Sequence, residues 1–132
     1  MKHTKLLPLL FFVALLSACA HTSLGKLVGS DRDEHGCIGS AGYTWSDALH
    51  SCVRLWEAGT RFDNGPEQTF LIFSADSTLA EVFSGESASV LCRRVKDSDV
   101  WKPRKGNTSV SIQNGIITVH VNDYSYTRRV GE

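Results

Sequence analysis

The sequence lacks the patterns that identify an enzyme, a metal centre or a nucleic-acid-binding protein. Zinc sites typically show His-x-x-x-His or Cys-x-x-Cys spacing. The five histidines and four cysteines of this chain show neither spacing. It contains no Gly-x-Ser-x-Gly elbow and no phosphate-binding loop. Fourteen basic residues balance fourteen acidic residues, so no nucleic-acid partner is indicated. We therefore predict no catalytic residue, no metal site and no cofactor.

Long apolar runs are also missing, and the one near the N-terminus is short. Residues 6–16 are almost wholly apolar and follow the basic residues Lys2 and Lys5. A transmembrane helix needs about 20 apolar residues. The run is therefore typical of the hydrophobic region of a secretory signal peptide.

The apolar run ends in Leu16-Ser17-Ala18-Cys19, which resembles the lipobox of bacterial lipoproteins. The resemblance implies cleavage after residue 18 and attachment of acyl chains such as palmitate to Cys19, and two or more chains make a stable membrane anchor. Ala20, in place of Asp, resembles an outer-membrane sorting signal. The expected location is then the bacterial cell envelope, at the outer membrane and facing the periplasm. The alternative is an ordinary secretory signal followed by a chance cysteine.

The chain beyond residue 18 divides into three segments. Residues 19–33 are polar and predict a flexible tether, residues 34–58 contain a cysteine motif, and residues 59–132 have the pattern of an antiparallel β-domain packed with that motif as one unit. The acidic run at 31–35 lacks the spacing of a calcium loop, which favours a solvated linker. Loss of Lys2 and Lys5 leaves twelve basic against fourteen acidic residues, which forms no basic face for nucleic acid.

Cysteine spacing predicts one disulfide. An oxidising envelope favours pairing, and Cys37 and Cys52 lie close in sequence. Their bond would close a loop of about 15 residues, which stabilises a fold by about 3 kcal/mol in the chain-entropy model. Cys92 is then left as a buried free thiol within an apolar run. A Cys52–Cys92 bond and a reactive Cys92 remain alternatives.

Two local structures compete within the cysteine motif. A hairpin would carry residues alternating along two strands, namely Tyr43, Trp45, Cys52, Arg54 and Trp56. A short helix would instead begin after an N-cap at Ser46 and gather Leu49 and Val53 on one face. We favour the hairpin.

The pattern from residue 69 onward predicts short strands separated by turn residues. The predicted strands cover residues 69–74, 78–83, 89–94, 100–101, 108–113, 116–121 and 124–128, whereas 58–68 form a polar turn region. Asn114-Gly115 is a favoured pair for a two-residue type I′ hairpin, which would pair Val110 with Val119 and leave one sheet face polar. The predicted fold is mainly β: a small antiparallel meander or open barrel with a disulfide-closed N-terminal motif, preceded by a cleaved signal helix.

Five side chains form the candidate binding surface: Tyr43, Trp45, Arg54, Trp56 and Trp101. Aromatic residues and arginine are enriched at interfaces. A small domain also uses aromatic side chains to fill its core, and this alternative stays open.

The cysteine motif reads Gly36-Cys37-x-x-Ser40-Ala41-Gly42-Tyr43-x-Trp45-Ser46, followed by Cys52-x-Arg54-x-Trp56-Glu57. It resembles a motif in small exported bacterial lipoproteins of unknown function, in which the position of Ser46 is often Cys. The resemblance implies a β-domain downstream and transfers no catalytic residue. A looser similarity of architecture links the chain to membrane-bound lysozyme inhibitors, whose inhibitory loop is represented only by the fragment Ser84-Gly85-Glu86-Ser87.

We therefore expect a non-enzymatic envelope lipoprotein that is membrane-anchored by its N-terminal lipid and binds a protein or a peptidoglycan-related component. The alternatives are an inhibitor of lysozyme or of another envelope-attacking hydrolase, and a thiol-based redox protein that uses Cys92.

Mass spectrometry of the protein isolated from its native membrane tests the anchor. We expect an N-terminal peptide that begins at Cys19 and carries the mass of attached acyl chains. A chain that keeps Met1, or one that begins at Cys19 without lipid, would contradict the lipobox interpretation.

Overall fold

The computed structural model describes residues 31–85 and 87–132. The predicted signal peptide, Cys19 and most of the predicted tether lie outside the described residues. In chain order the elements are a 3₁₀ turn (Gly39–Ala41), β1 (Thr44–Ser46), β2 (Ser51–Val53), α1 (Leu55–Ala58), β3 (Thr60–Phe62), β4 (Thr69–Phe73), β5 (Leu79–Ser84), β6 (Val90–Arg94), β7 (Val100–Lys102), β8 (Ser109–Gln113), β9 (Ile116–Val121) and β10 (Tyr124–Arg129). In this part of the chain no helix has both the length and the apolar character needed to cross a membrane.

Strands β3 to β10 form one antiparallel sheet of eight strands in sequence order. The sheet curls until its two edges approach, and Arg128 Nη1 donates a hydrogen bond of 2.8 Å to the carbonyl of Arg61 across the seam between β10 and β3. The prediction of a mainly β, barrel-like antiparallel fold is confirmed.

The interior of the curled sheet is the main core, because every second residue of a strand points inward. Its buried members are Phe62, Leu71, Ala80, Val82, Cys92, Trp101, Val110, Ile117, Val119 and Tyr126. Gly65 closes one side of this core against Tyr126. A Cβ at position 65 would lie 2.2 Å from Tyr126 Cε1, so only glycine lets the 63–68 loop approach this ring.

The Asn-Gly hairpin forms with the predicted register. Val110 pairs with Val119, and Ile112 pairs with Ile117. Asn114 and Gly115 have φ angles of 51° and 73°, as a type I′ turn requires at both positions.

The cysteine motif also forms the favoured hairpin and not a helix that begins after Ser46. The return strand ends at Val53, so the prediction that Trp56 lies on it is wrong, and Trp56 lies in α1. Trp45 pairs with Cys52 between β1 and β2, and the Cys37–Cys52 disulfide is present. The helix of this region begins only at Leu55 and spans four residues, because Ser51–Val53 are already paired as a strand.

One predicted boundary is wrong. The polar turn region at 58–68 contains strand β3, which pairs with β4 and buries Phe62 to 3 % exposure. At residues 31–33, the described end of the predicted tether, Asp31 accepts hydrogen bonds from Ser40, and Asp33 accepts them from the amides of His35 and Cys37.

The hairpin packs on the outer face of β4 and β5, where a second apolar cluster forms. Ala48 and Val53 contact Phe70, Ile72 and Phe83. This explains why β4 reads as a continuous apolar run, since both of its faces are covered.

A buried carboxylate fastens the hairpin to the sheet. Glu81, on β5, is fully buried. Its Oε2 accepts hydrogen bonds from the Ser46 hydroxyl at 2.7 Å and the Ala48 amide at 3.1 Å, and its Oε1 accepts one from the Ser89 hydroxyl at 2.6 Å. Buried polar groups are tolerated when their hydrogen bonds are satisfied.

We expect Gly115→Val to destabilise the domain by about 1–3 kcal/mol, because a β-branched residue is strained at positive φ. The loss is measured as a lower midpoint of thermal unfolding. Gln113→Val, at an exposed strand position nearby, is the matched control. Equal midpoints for the two variants would contradict the turn assignment.

Glu81→Ala should lower the free energy of unfolding by at least about 2 kcal/mol, because three hydrogen-bond donors lose their acceptor inside the protein. Urea titration followed by circular dichroism measures the change. Glu67→Ala removes a carboxylate from an exposed position and should change little. An equally small effect at position 81 would show that Glu81 does not hold the hairpin in place.

Candidate functional site

The outward side of the β1–β2 hairpin, together with the residues that flank it and α1, carries most of the predicted binding residues. We call this surface the aromatic face and define it by His35, Tyr43, Trp45, Arg54 and Trp56. Trp45 lies on the same side of the hairpin as Cys52, its cross-strand partner. The inward side, with Ser46 and Val53, is buried against the sheet. The hairpin therefore presents two different surfaces, of which the aromatic face is turned away from the sheet.

One half of the aromatic face is a stacked pair of rings. The centroids of His35 and Trp45 lie 4.3 Å apart with an interplanar angle of 7°. The Trp45 indole also donates a hydrogen bond of 2.9 Å to Asp47. Both rings are thus held in one orientation, since the indole is fixed at its face and at its nitrogen.

The other half is organised by Arg54. Its guanidinium carbon lies 4.6 Å from the centroid of the Tyr43 ring and 6.0 Å from that of Trp56, within the range of cation–π attraction. Arg54 Nε donates to the carbonyl of Ala41 at 3.1 Å, and Nη1 pairs with Glu57 at 3.2 Å. These contacts anchor the guanidinium between two rings.

Trp56 is the most exposed large aromatic side chain of the face, with 60 % exposure. Its ring rests on Gly42, where a Cβ would lie only 2.2 Å from Trp56 Cη2. Gly42 also has a φ of 81°, a conformation that favours glycine. The Trp56 indole therefore packs directly on the backbone of Gly42.

Trp101, the fifth predicted residue, lies elsewhere. It is buried to 2 % exposure in the sheet interior, donates a hydrogen bond of 2.9 Å from Nε1 to the Ser77 carbonyl and meets the edge of Phe73. The structure brings the other four residues together, places Trp101 in the core and adds His35. No pattern in the sequence indicates that His35 belongs to this face. Its position follows from the chain reversal at Gly36, which has a φ of 84°.

Cys92 lies in the core and not at a cleft. It is the free cysteine of the described chain, and its fractional exposure is 0 %. Burial raises the pKa of its thiol to about 11. A thiol acts as a nucleophile in its ionised form, so this environment opposes reactivity at neutral pH. Across residues 31–85 and 87–132, no group of three or more His, Cys, Asp or Glu side chains is arranged to hold a metal ion.

We expect Cys92 to resist an aromatic disulfide reagent at neutral pH in the folded protein and to react when the protein is unfolded without reductant. The physical reason is its burial together with its raised pKa. Absorbance of the released thiolate measures the reaction, and the residue is identified by peptide mass. Rapid labelling of Cys92 in the folded state would support the redox alternative.

No protein-family model, no curated protein and no solved structure matches the chain. The resemblance of the cysteine motif to exported lipoproteins stays a prediction from the residues of that motif.

Proposed function

We propose that the protein is a non-enzymatic envelope lipoprotein that binds a partner protein through the aromatic face. The observation that carries this proposal is the exposed Trp56, which α1 holds beside Arg54 and Tyr43, next to the disulfide-closed hairpin. Tryptophan, tyrosine and arginine are the residue types that dominate the energetics of protein interfaces.

Preorganisation supports binding over a purely structural role for these side chains. Ordering side chains at an interface costs about 0.5–1.5 kcal/mol for each long side chain. Here Arg54 is already fixed by Ala41 and Glu57, and Trp45 is fixed by His35 and Asp47. Much of that cost is met during folding, so a partner gains more of the contact energy.

The envelope location is the second part of the proposal. It is supported by the signal-like residues 1–18 and by Cys19 in a lipobox-like context. A disulfide in the folded domain agrees with an oxidising compartment. The partner is therefore sought among proteins of the envelope.

Site-specific photocrosslinking in intact cells tests the proposal. A photoreactive residue replacing Trp56 should form a crosslink to one protein of defined mass. Tyr124, which is 51 % exposed and outside the aromatic face, is the control position and should not give that product. Equal products at both positions, or no protein crosslink at position 56, would contradict the proposal, and a product containing peptidoglycan would shift it to a cell-wall ligand.

Once the partner is identified, Trp56→Ala should raise the dissociation constant of the complex by about 30-fold or more. Loss of a central tryptophan commonly lowers the binding free energy by at least about 2 kcal/mol. Tyr124→Ala should leave the dissociation constant unchanged. Isothermal titration calorimetry measures both values. The midpoint of thermal unfolding must be similar in the two variants, which separates a binding effect from a folding effect.

Inhibition of a lysozyme is the second candidate, and it is one specific kind of protein binding. The feature in its favour is Gly85 with Ser87, which are exposed at the end of β5. A turbidity assay with c-type lysozyme tests it directly. Absence of inhibition at large molar excess of the protein would remove this candidate and leave the aromatic-face proposal standing.

A further inference from the structure

The outer side of strands β6–β10 is an uncovered sheet surface with an uneven charge distribution. We call it the basic face. Its charged members are Arg93, Lys102 and Arg129, all of them exposed, and its other outward side chains are six hydroxyl or amide groups, His120, and the apolar Leu91, Val100 and Ile116. Within these described strands no outward-facing side chain is acidic.

The register brings like charges together on this face. Arg93 on β6 lies directly opposite Lys102 on β7. Like charges at directly opposed positions destabilise a sheet. Neither residue forms an ion pair with an acidic side chain among the described residues. The fold therefore carries a small electrostatic cost here that an anionic ligand would relieve.

The adjoining loops strengthen the positive field. Six of the fourteen basic residues of the chain fall within positions 93–105, and Arg104 and Lys105 are exposed beside β7. The acidic residues of this segment are Asp97 and Asp99, and Asp99 is paired with Arg94 at 2.5 Å. Basic residues thus remain in excess although the whole chain is neutral.

We infer that the basic face docks on a bilayer surface that carries anionic phospholipids. The face is the convex outer side of the curled sheet, and Arg129 on β10 lies four strands away from Arg93 on β6. Arg93 and Lys102 lie on neighbouring strands beside Arg104 and Lys105, so these four cations can meet one membrane plane together. Cations spread over such a surface can each bind a separate lipid headgroup, because headgroups move laterally in the bilayer. A single small anion could contact only one or two of them. Each Lys or Arg near an anionic membrane adds about a fivefold gain in binding.

This inference rests on the proposed lipid anchor, which would keep the domain close to the bilayer. Residues 19–30 could reach at most about 40 Å when extended, which exceeds the width of a domain of this size, about 25–35 Å. The anchored domain can therefore turn its basic face to the bilayer. The aromatic face stays free, because its hairpin covers the outer side of β4 and β5, across the curled sheet from β8 and β9.

Lysine labelling of the natively isolated protein tests the inference. The protein is mixed with vesicles of phosphatidylcholine alone or with phosphatidylglycerol added, and modification of Lys102 by an amine-reactive reagent is followed by mass spectrometry. We expect labelling to slow several-fold only with phosphatidylglycerol, and high salt should abolish the difference. Equal labelling rates with the two vesicle types at low salt would overturn the inference.

Variants identify the charges responsible. Arg93→Gln with Arg104→Gln should remove most of the several-fold protection of Lys102, because each of these charges adds about a fivefold gain in vesicle binding. Arg32→Gln with Arg61→Gln removes the same charge outside the face and should leave the protection unchanged. Equal loss of protection in both pairs would show a general charge effect and overturn the assignment to this face.

Two further measurements distinguish a lipid surface from a free polyanion, and the basic face from the acyl anchor. Protection of Lys102 by soluble polyphosphate as strong as by the vesicles would point to a free polyanion and overturn the choice of a lipid surface. Sedimentation with pure phosphatidylcholine vesicles reports on the acyl anchor alone. A protein that fails to sediment there contradicts the proposed anchor, whereas the labelling comparison still decides the basic face.

Discussion

The buried carboxylate of Glu81 is the contact on which the arrangement of this small domain depends. It joins three separate segments, because its donors come from β1, from the turn after β1 and from the residue before β6. An unsatisfied buried carboxylate would be strongly destabilising, so alternative placements of the hairpin are disfavoured. Apolar contacts alone are less directional. The orientation of the aromatic face therefore follows from hydrogen bonds made on the opposite side of the same hairpin.

Much of the fold could be predicted from the sequence because its signals are local. The Asn114-Gly115 turn sets its own register, and the proximity of Cys37 to Cys52 indicates their bond. Strand β3 escaped prediction because Phe62 is its one large apolar residue and its neighbours are polar. Its partner β4 stabilises it, and a sequence does not display that tertiary contact.

The candidate site was predictable in composition but not in arrangement. Alternation along the hairpin correctly grouped Tyr43 and Trp45, yet it could not separate them from Trp101, which belongs to the interior. The distinction depends on what covers each strand face. The same limit applies to Glu81, since a charged residue in a strand is normally expected to face water. Only the docked hairpin turns that outer position into a buried one.

Net charge illustrates this limit at the level of the whole surface. The sequence has equal numbers of acidic and basic residues. Its composition alone therefore indicates no partner of strong opposite charge. Folding then separates the charges, because the charged side chains that strands β6–β10 place outward are all basic, while their acidic neighbours lie in turns. A field is set by this spatial separation and not by the sum. A domain with a slight excess of acidic residues can in this way carry two unlike surfaces: a rigid aromatic one, and one on which basic side chains are in excess.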